Sequence, residues 1–96
     1  MIKFVATHGD QTVEYLLKEG VNVCGRDENC DIVIDHPQVS RNHLSVMVGP
    51  EGVVVQDLNS RNGTFVNGLR VKNTAQLKNG DTIALGKYLL KFVVET

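Results

Sequence analysis

The sequence predicts an all-β domain, folded as a sandwich or barrel. Short runs of β-branched and aromatic residues alternate with polar ones. Gly, Pro, Asn and Asp turn signals separate the runs, and no segment has spacing that demands a helix. Roughly ten or eleven short strands result, with no internal repeat, linker or low-complexity run.

Taken in order, Ile2, Phe4 and Ala6 alternate with Lys3, Val5 and Thr7, as in a half-buried strand. His8-Gly9-Asp10 reads as a turn. Residues 11–19 fit two patterns. Val13, Tyr15 and Leu17 alternate as a strand would; an Asp10 cap, helical spacing of Val13, Leu16 and Leu17, and a stop at Gly20 would suit a helix. Pattern alone leaves these even, and the short loops and all-β character of the rest tip the segment to strand. Strands follow at 21–24, 32–34, 44–48, 53–58 and 64–66. Residues 69–71 are short and extended, 75–77 make another short strand, and 81–85 alternate with Ile83 and Leu85 inward. In the last strand Tyr88, Leu90, Phe92 and Val94 share one face. Gly49-Pro50-Glu51-Gly52, Asn79-Gly80 and Gly86-Lys87 are turns, and Pro37 blocks regular structure in the loop at 35–38.

Ninety-six residues suit one small domain, expected to span 1–96. With 42% hydrophobic residues the chain can pack a core. A net charge of −1 supplies no global basic field for nucleic acid or an anionic membrane, so any anion site must be local. No apolar run approaches the ~20 residues that span a bilayer, and the first residues lack the apolar centre of a signal peptide. The expected location is the cytoplasm, as a monomer or as part of a larger multidomain protein. Cys24 and Cys30 are therefore expected as free thiols. Joined with His36 and His43 they leave gaps of five, five and six residues, which match no common zinc spacing. No metal or cofactor is expected.

Residues 57–68, Asp-Leu-Asn-Ser-Arg-Asn-Gly-Thr-Phe-Val-Asn-Gly, hold two Asn-Gly pairs around the strand at 64–66. Asn-Gly is the strongest short signal for a tight reversal, because both residues accept positive φ at low steric cost. The loop before the first pair carries hydroxyl, guanidinium and amide donors, a plausible anion receptor. Two more loops hold residues of the same kind, Arg26 and Ser40-Arg41-Asn42-His43.

This set resembles the forkhead-associated (FHA) domain family. The marks are Gly25-Arg26, then Ser40-Arg41-Asn42-His43, then Asn62-Gly63, in context with 31–34, Asp57-Leu58, 64–68 and 80–83. The resemblance covers essentially the whole chain. It implies an eleven-stranded, antiparallel-type β-sandwich that binds phosphothreonine peptides with loops at one end. By resemblance, Arg26 binds the phosphate, the Ser40 hydroxyl donates to a phosphate oxygen, and Asn62 hydrogen-bonds the peptide main chain. Arg41 and Arg61 stand where the family places variable polar or basic residues near the phosphate and peptide. His43 and Gly25 match structural members of the motif, and Gly63 completes the Asn-Gly pair. The implied partner is a phosphothreonine-containing protein or peptide, a substrate of a Ser/Thr kinase.

The chemistry agrees independently. A phosphothreonine carries about −1.5 to −2 charges and three acceptor oxygens, and needs convergent donors rather than a general base. Each charge-assisted bond contributes about 1.5–3 kcal/mol, so losing one weakens binding about ten- to a hundredfold. An enzyme with Ser40 as nucleophile and His43 as base lacks an accompanying oxyanion-hole motif, and a phosphatase would need a metal cluster or a reactive cysteine loop. Aromatic content of 5% leaves few stacking platforms for nucleic acid. An FHA-like module that assembles with partners independently of phosphate stays open as the alternative. His43 is expected as a buried imidazole that holds the loops; His8 and His36 are expected exposed and uninvolved.

Overall fold

A computed structural model describes residues 1–7 and 9–96 in full and, at position 8, the backbone alone. Eleven strands run in chain order: β1 (Ile2–His8), β2 (Gln11–Leu16), β3 (Gly20–Gly25), β4 (Ile32–Val33), β5 (Leu44–Gly49), β6 (Gly52–Asp57), β7 (Thr64–Val66), β8 (Leu69–Arg70), β9 (Thr74–Leu77), β10 (Thr82–Leu85) and β11 (Tyr88–Val94). They form a six-stranded sheet ordered β2-β1-β11-β10-β7-β8 and a five-stranded sheet ordered β4-β3-β5-β6-β9. All pairings are antiparallel except β3 with β4, which run parallel. The segment that fitted either pattern is the strand β2, registered against β1 from Lys3↔Leu16 to His8↔Gln11. Among the described residues no helix is long and apolar enough to cross a membrane.

The alternating residues read as inward do face inward. Phe4, Ala6, Ile83, Leu85, Leu90 and Phe92 from one sheet meet Cys24, Leu44, Val46 and Val55 from the other, all fully buried or nearly so. Phe4 and Phe92, cross-strand partners, pack edge to face at 6.0 Å. Val94 departs from the pattern: it is exposed, as the last residue of β11. Lys3 departs the other way. It points to the outer face of β1 yet is only 7% exposed, because Glu14 and Glu95 close over its ammonium at 3.1 Å each. Hydrogen bonds to Glu95 and then Glu14 raise its pKa above the usual lysine value.

The three Asn-Gly pairs have different fates. Asn67-Gly68 is the two-residue hairpin turn between β7 and β8, with positive φ at both residues. Asn62-Gly63 and Asn79-Gly80 instead carry the chain from one sheet to the other, and only their glycines have positive φ. The loops β3–β4, β4–β5 and β6–β7 and the β10–β11 turn emerge at one end of the sandwich, where hydrogen bonds join them.

Candidate functional site

The site is assembled on backbone. Ser40 O accepts the Arg26 N–H at 3.0 Å, Arg41 O accepts the Asp27 N–H at 3.1 Å, and Cys24 O accepts the His43 N–H at 2.8 Å. The β3–β4 and β4–β5 loops are thereby zipped together. Their approach leaves no room for a side chain at position 25, since a β-carbon on Gly25 would stand 2.0 Å from Arg41 O. Glycine is the residue that permits this contact.

His43 joins that pair to the third loop. Its ring is fully buried. The Ser40 N–H donates to Nδ1 at 3.0 Å, which assigns the ring proton to Nε2, and Nε2 donates to Gly63 O at 2.9 Å. Gly63 presents that carbonyl from a φ of +82°, a conformation a β-carbon would disfavour. Burial pushes the His43 imidazole below its usual pKa; the Gly63 hydrogen bond and the Asp57 carboxylate oppose this without reversing it. A second ring proton would point at the Ser40 N–H, so the folded site requires the neutral form. Unfolded, the imidazole titrates near its ordinary value of about 6.5. Below that pH the unfolded chain binds a proton that the folded chain refuses, so His43 makes stability fall as pH drops from about 6.5 towards the lower folded value. Urea denaturation at pH 7.5 and 5.5 is expected to show this loss, and His43→Gln is expected to reduce the pH slope.

The β6–β7 loop is built around Asp57. Its Oδ1 accepts the Ser60 and Thr64 hydroxyls, both at 2.6 Å, and its Oδ2 accepts the Ser60 N–H at 3.1 Å. Burial works to raise the pKa of this carboxyl, but the hydrogen bonds from Ser60 and Thr64, with the nearby imidazole, outweigh it and hold the group ionised below the usual range. Thr64 is fully buried. Thr64→Val, which keeps the shape and loses the donor, is expected to cost about 1–2 kcal/mol in chemical denaturation.

On this frame Arg26, Ser40, Arg61 and Asn62 line one small pocket of about 70 Å³ together with Pro37, Gln38 and Val39. Arg26 Nε donates to Val39 O at 3.1 Å, which anchors the guanidinium; its terminal amino groups make no other hydrogen bond among the described residues. The Ser40 hydroxyl oxygen accepts the Arg61 N–H at 2.9 Å, so its own proton is available to donate outward. Asn62 Nδ2 donates to Gln38 O at 2.8 Å. Arg41 stands apart from this pocket. It is exposed and lines a neighbouring depression with Arg26, Asp27 and Glu28. Chemically, the pocket offers two guanidinium groups, a hydroxyl donor and a carboxamide around a space the size of a small anion.

The family model of the FHA domain matches residues 22–86, a span that holds every one of these residues. The chain belongs to the FHA domain family. It is 38% identical over 79 residues to the oxoglutarate dehydrogenase inhibitor of Corynebacterium jeikeium, covering 82% of this chain and 54% of that protein. The FHA domain of Mycobacterium tuberculosis FhaA, solved in complex with the intracellular domain of Rv3910, shares the fold with a TM-score of 0.87 at 33% identity, over 96% of this chain and 99% of that one. An FHA structure from an analysis of phosphothreonine-dependent FHA domain interactions has a TM-score of 0.87 at 31% identity, over 99% of this chain and 97% of that one. The chain spans about half the length of the Corynebacterium inhibitor and 14% of full-length FhaA.

Two residues of this FHA domain escaped the sequence reading. Gln38 ties the site to the β10–β11 turn: its Oε1 accepts the Lys87 N–H at 2.6 Å while its main-chain oxygen holds Asn62. His36, expected to be exposed and uninvolved, is half-buried; its Nδ1 accepts the Gln38 N–H at 3.1 Å and its ring lies 5.4 Å from that of Tyr88. The corresponding expectation for His8 falls outside the described side chains. Cys24 and Cys30 are free thiols, Cys24 buried and Cys30 partly so, with Cys30 Sγ donating to Arg41 O at 3.2 Å. Burial raises both, pushing Cys24 up to about 12, so neither has the character of a reactive thiolate.

Proposed function

We propose that this FHA domain is a recognition module for phosphothreonine in a partner protein or peptide, and that residues 1–96 act as one such module. The observation that carries the reading is the convergence of Arg26, Ser40, Arg61 and Asn62 on one pocket at the loop end of the sandwich. In it Arg26 and Arg61 neutralise the phosphate, the Ser40 hydroxyl donates to a phosphate oxygen, and Asn62, steadied by Gln38, meets the peptide main chain beside the phosphothreonine. Arg41, on the far side of Arg26, adds positive field from the rim. Gly25, His43 and Gly63 hold the loops and touch no ligand. The module performs no catalysis and needs no cofactor. The partner is a Ser/Thr kinase substrate met in the cytoplasm, a setting that suits the two free thiols.

Calorimetry with a phosphothreonine peptide, its phosphoserine analogue and its unphosphorylated twin tests the proposal. The phosphothreonine peptide is expected to bind and the unphosphorylated twin not to bind. The threonine methyl, if buried on binding, contributes about 0.8 kcal/mol, so phosphoserine is expected to bind about fourfold more weakly. Equal binding of the first and last peptides would favour a phosphate-independent assembly module instead.

A further inference from the structure

A second groove opens between the free edges of the two sheets, where β8 and β9 are the terminal strands. Its volume is about 520 Å³, within the range of about 300–1,000 Å³ common for ligand clefts. Apolar Val66 and Leu69 share its wall with Arg70, Lys72, Lys78 and the carboxylate Asp81. Leu69 is 76% exposed. Asp81 already accepts hydrogen bonds from Asn67 Nδ2 at 3.0 Å and the Lys78 N–H at 2.8 Å. Arg70, Lys72 and Lys78 enter no ion pair among the described residues. The groove therefore presents three cations against one carboxylate, beside an exposed aliphatic side chain and two unpaired sheet edges.

Arg70 connects this groove to the candidate site. Its guanidinium lies over the Phe65 ring, 6.0 Å from the centroid, and against Gly63, where an added β-carbon would stand 3.3 Å from its Cζ. Gly63 directly follows Asn62. Arg70 thus borders both Gly63, the neighbour of Asn62, and the groove.

We infer that this groove holds an extended acidic segment of the same partner that carries the phosphothreonine, an inference that rests on the phosphopeptide reading above. Carboxylates complement Arg70, Lys72 and Lys78, apolar side chains cover Leu69, and the open edges of β8 and β9 offer main-chain donors and acceptors to an extended strand.

Three peptide designs test it: a short phosphothreonine peptide, the same peptide extended by acidic residues on its N-terminal or C-terminal side, and an unphosphorylated acidic peptide. One of the two extensions is expected to raise affinity about three- to tenfold at low salt. The double variant Lys72→Glu, Lys78→Glu is expected to lose that gain while binding the short phosphopeptide like the wild type. No gain from either extension, or a gain that survives in the variant, overturns the groove. A short phosphopeptide that fails to bind would instead count against the phosphate reading. In that event NMR titration with the unphosphorylated acidic peptide at millimolar concentration still decides the groove: amide shifts confined to 69–72 and 74–78 support it, and their absence overturns it.

Discussion

Gly25→Ala is expected to lower the unfolding free energy by about 2–4 kcal/mol and to weaken phosphothreonine-peptide binding along with it. The added methyl would stand 2.0 Å from Arg41 O, an atom of backbone that cannot rotate away as a side chain would. Relief requires the two loops to separate. That separation stretches the Arg26 N–H to Ser40 O, Asp27 N–H to Arg41 O and His43 N–H to Cys24 O hydrogen bonds, and His43 then loses its register with Gly63. For a domain whose total stability is on the order of 5–15 kcal/mol, the loss is a large fraction. Urea denaturation of the two proteins checks it. A variant within about 0.5 kcal/mol of the wild type would mean that the loops can part without cost, and that the site is less tightly framed than its hydrogen bonds indicate.

Arg26→Ala is expected to do the opposite, sparing the fold and weakening phosphothreonine-peptide binding. Arg26 is exposed on its loop, and the one side-chain hydrogen bond lost, to Val39 O, contributes about 1 kcal/mol. Its main-chain bond to Ser40 O persists in the variant. Binding of a phosphothreonine peptide should fall about ten- to a hundredfold, the loss expected for one charge-assisted contact. The same pair of measurements, denaturation and calorimetry, separates the two substitutions. If Arg26→Ala unfolds, the guanidinium is part of the frame rather than the pocket.

Much of this architecture is legible in the sequence because a strand is a local pattern. Phe4, Ala6, Ile83, Leu85, Leu90 and Phe92 occur at period two and face one core, and the two-residue turn at Asn67-Gly68 needs only its own chemistry. Residues 11–19 are even on pattern because β2 is an edge strand with Val13 and Leu16 exposed, so burial does not sharpen its alternation. An Asn-Gly pair signals positive φ but not whether the chain returns to the same sheet, which is why Asn62-Gly63 and Asn67-Gly68 look alike in sequence and differ in space. Arg26, Ser40 and Asn62 belong to the motif, and Arg61 stands beside it at a variable position. Their meeting in one pocket depends on contacts such as Arg61 N–H to Ser40 Oγ and Asn62 to Gln38 O, between residues 21 and 24 positions apart. Gln38 left no local mark, since its partner Lys87 lies 49 positions away. Lys3 reads as a solvated charge until Glu14 and Glu95 are brought over it by strand pairing and by the C-terminal end of β11.

The most direct test of the central claim is a ¹⁵N-amide NMR titration of this domain with a phosphothreonine peptide and, separately, its unphosphorylated twin. The phosphorylated peptide should shift the amides around Arg26, Ser40, Arg61 and Asn62, residues of three loops, at a single common affinity, and the twin should leave them in place. Equal shifts from both peptides, or shifts confined to a face of the sandwich away from these loops, would contradict it.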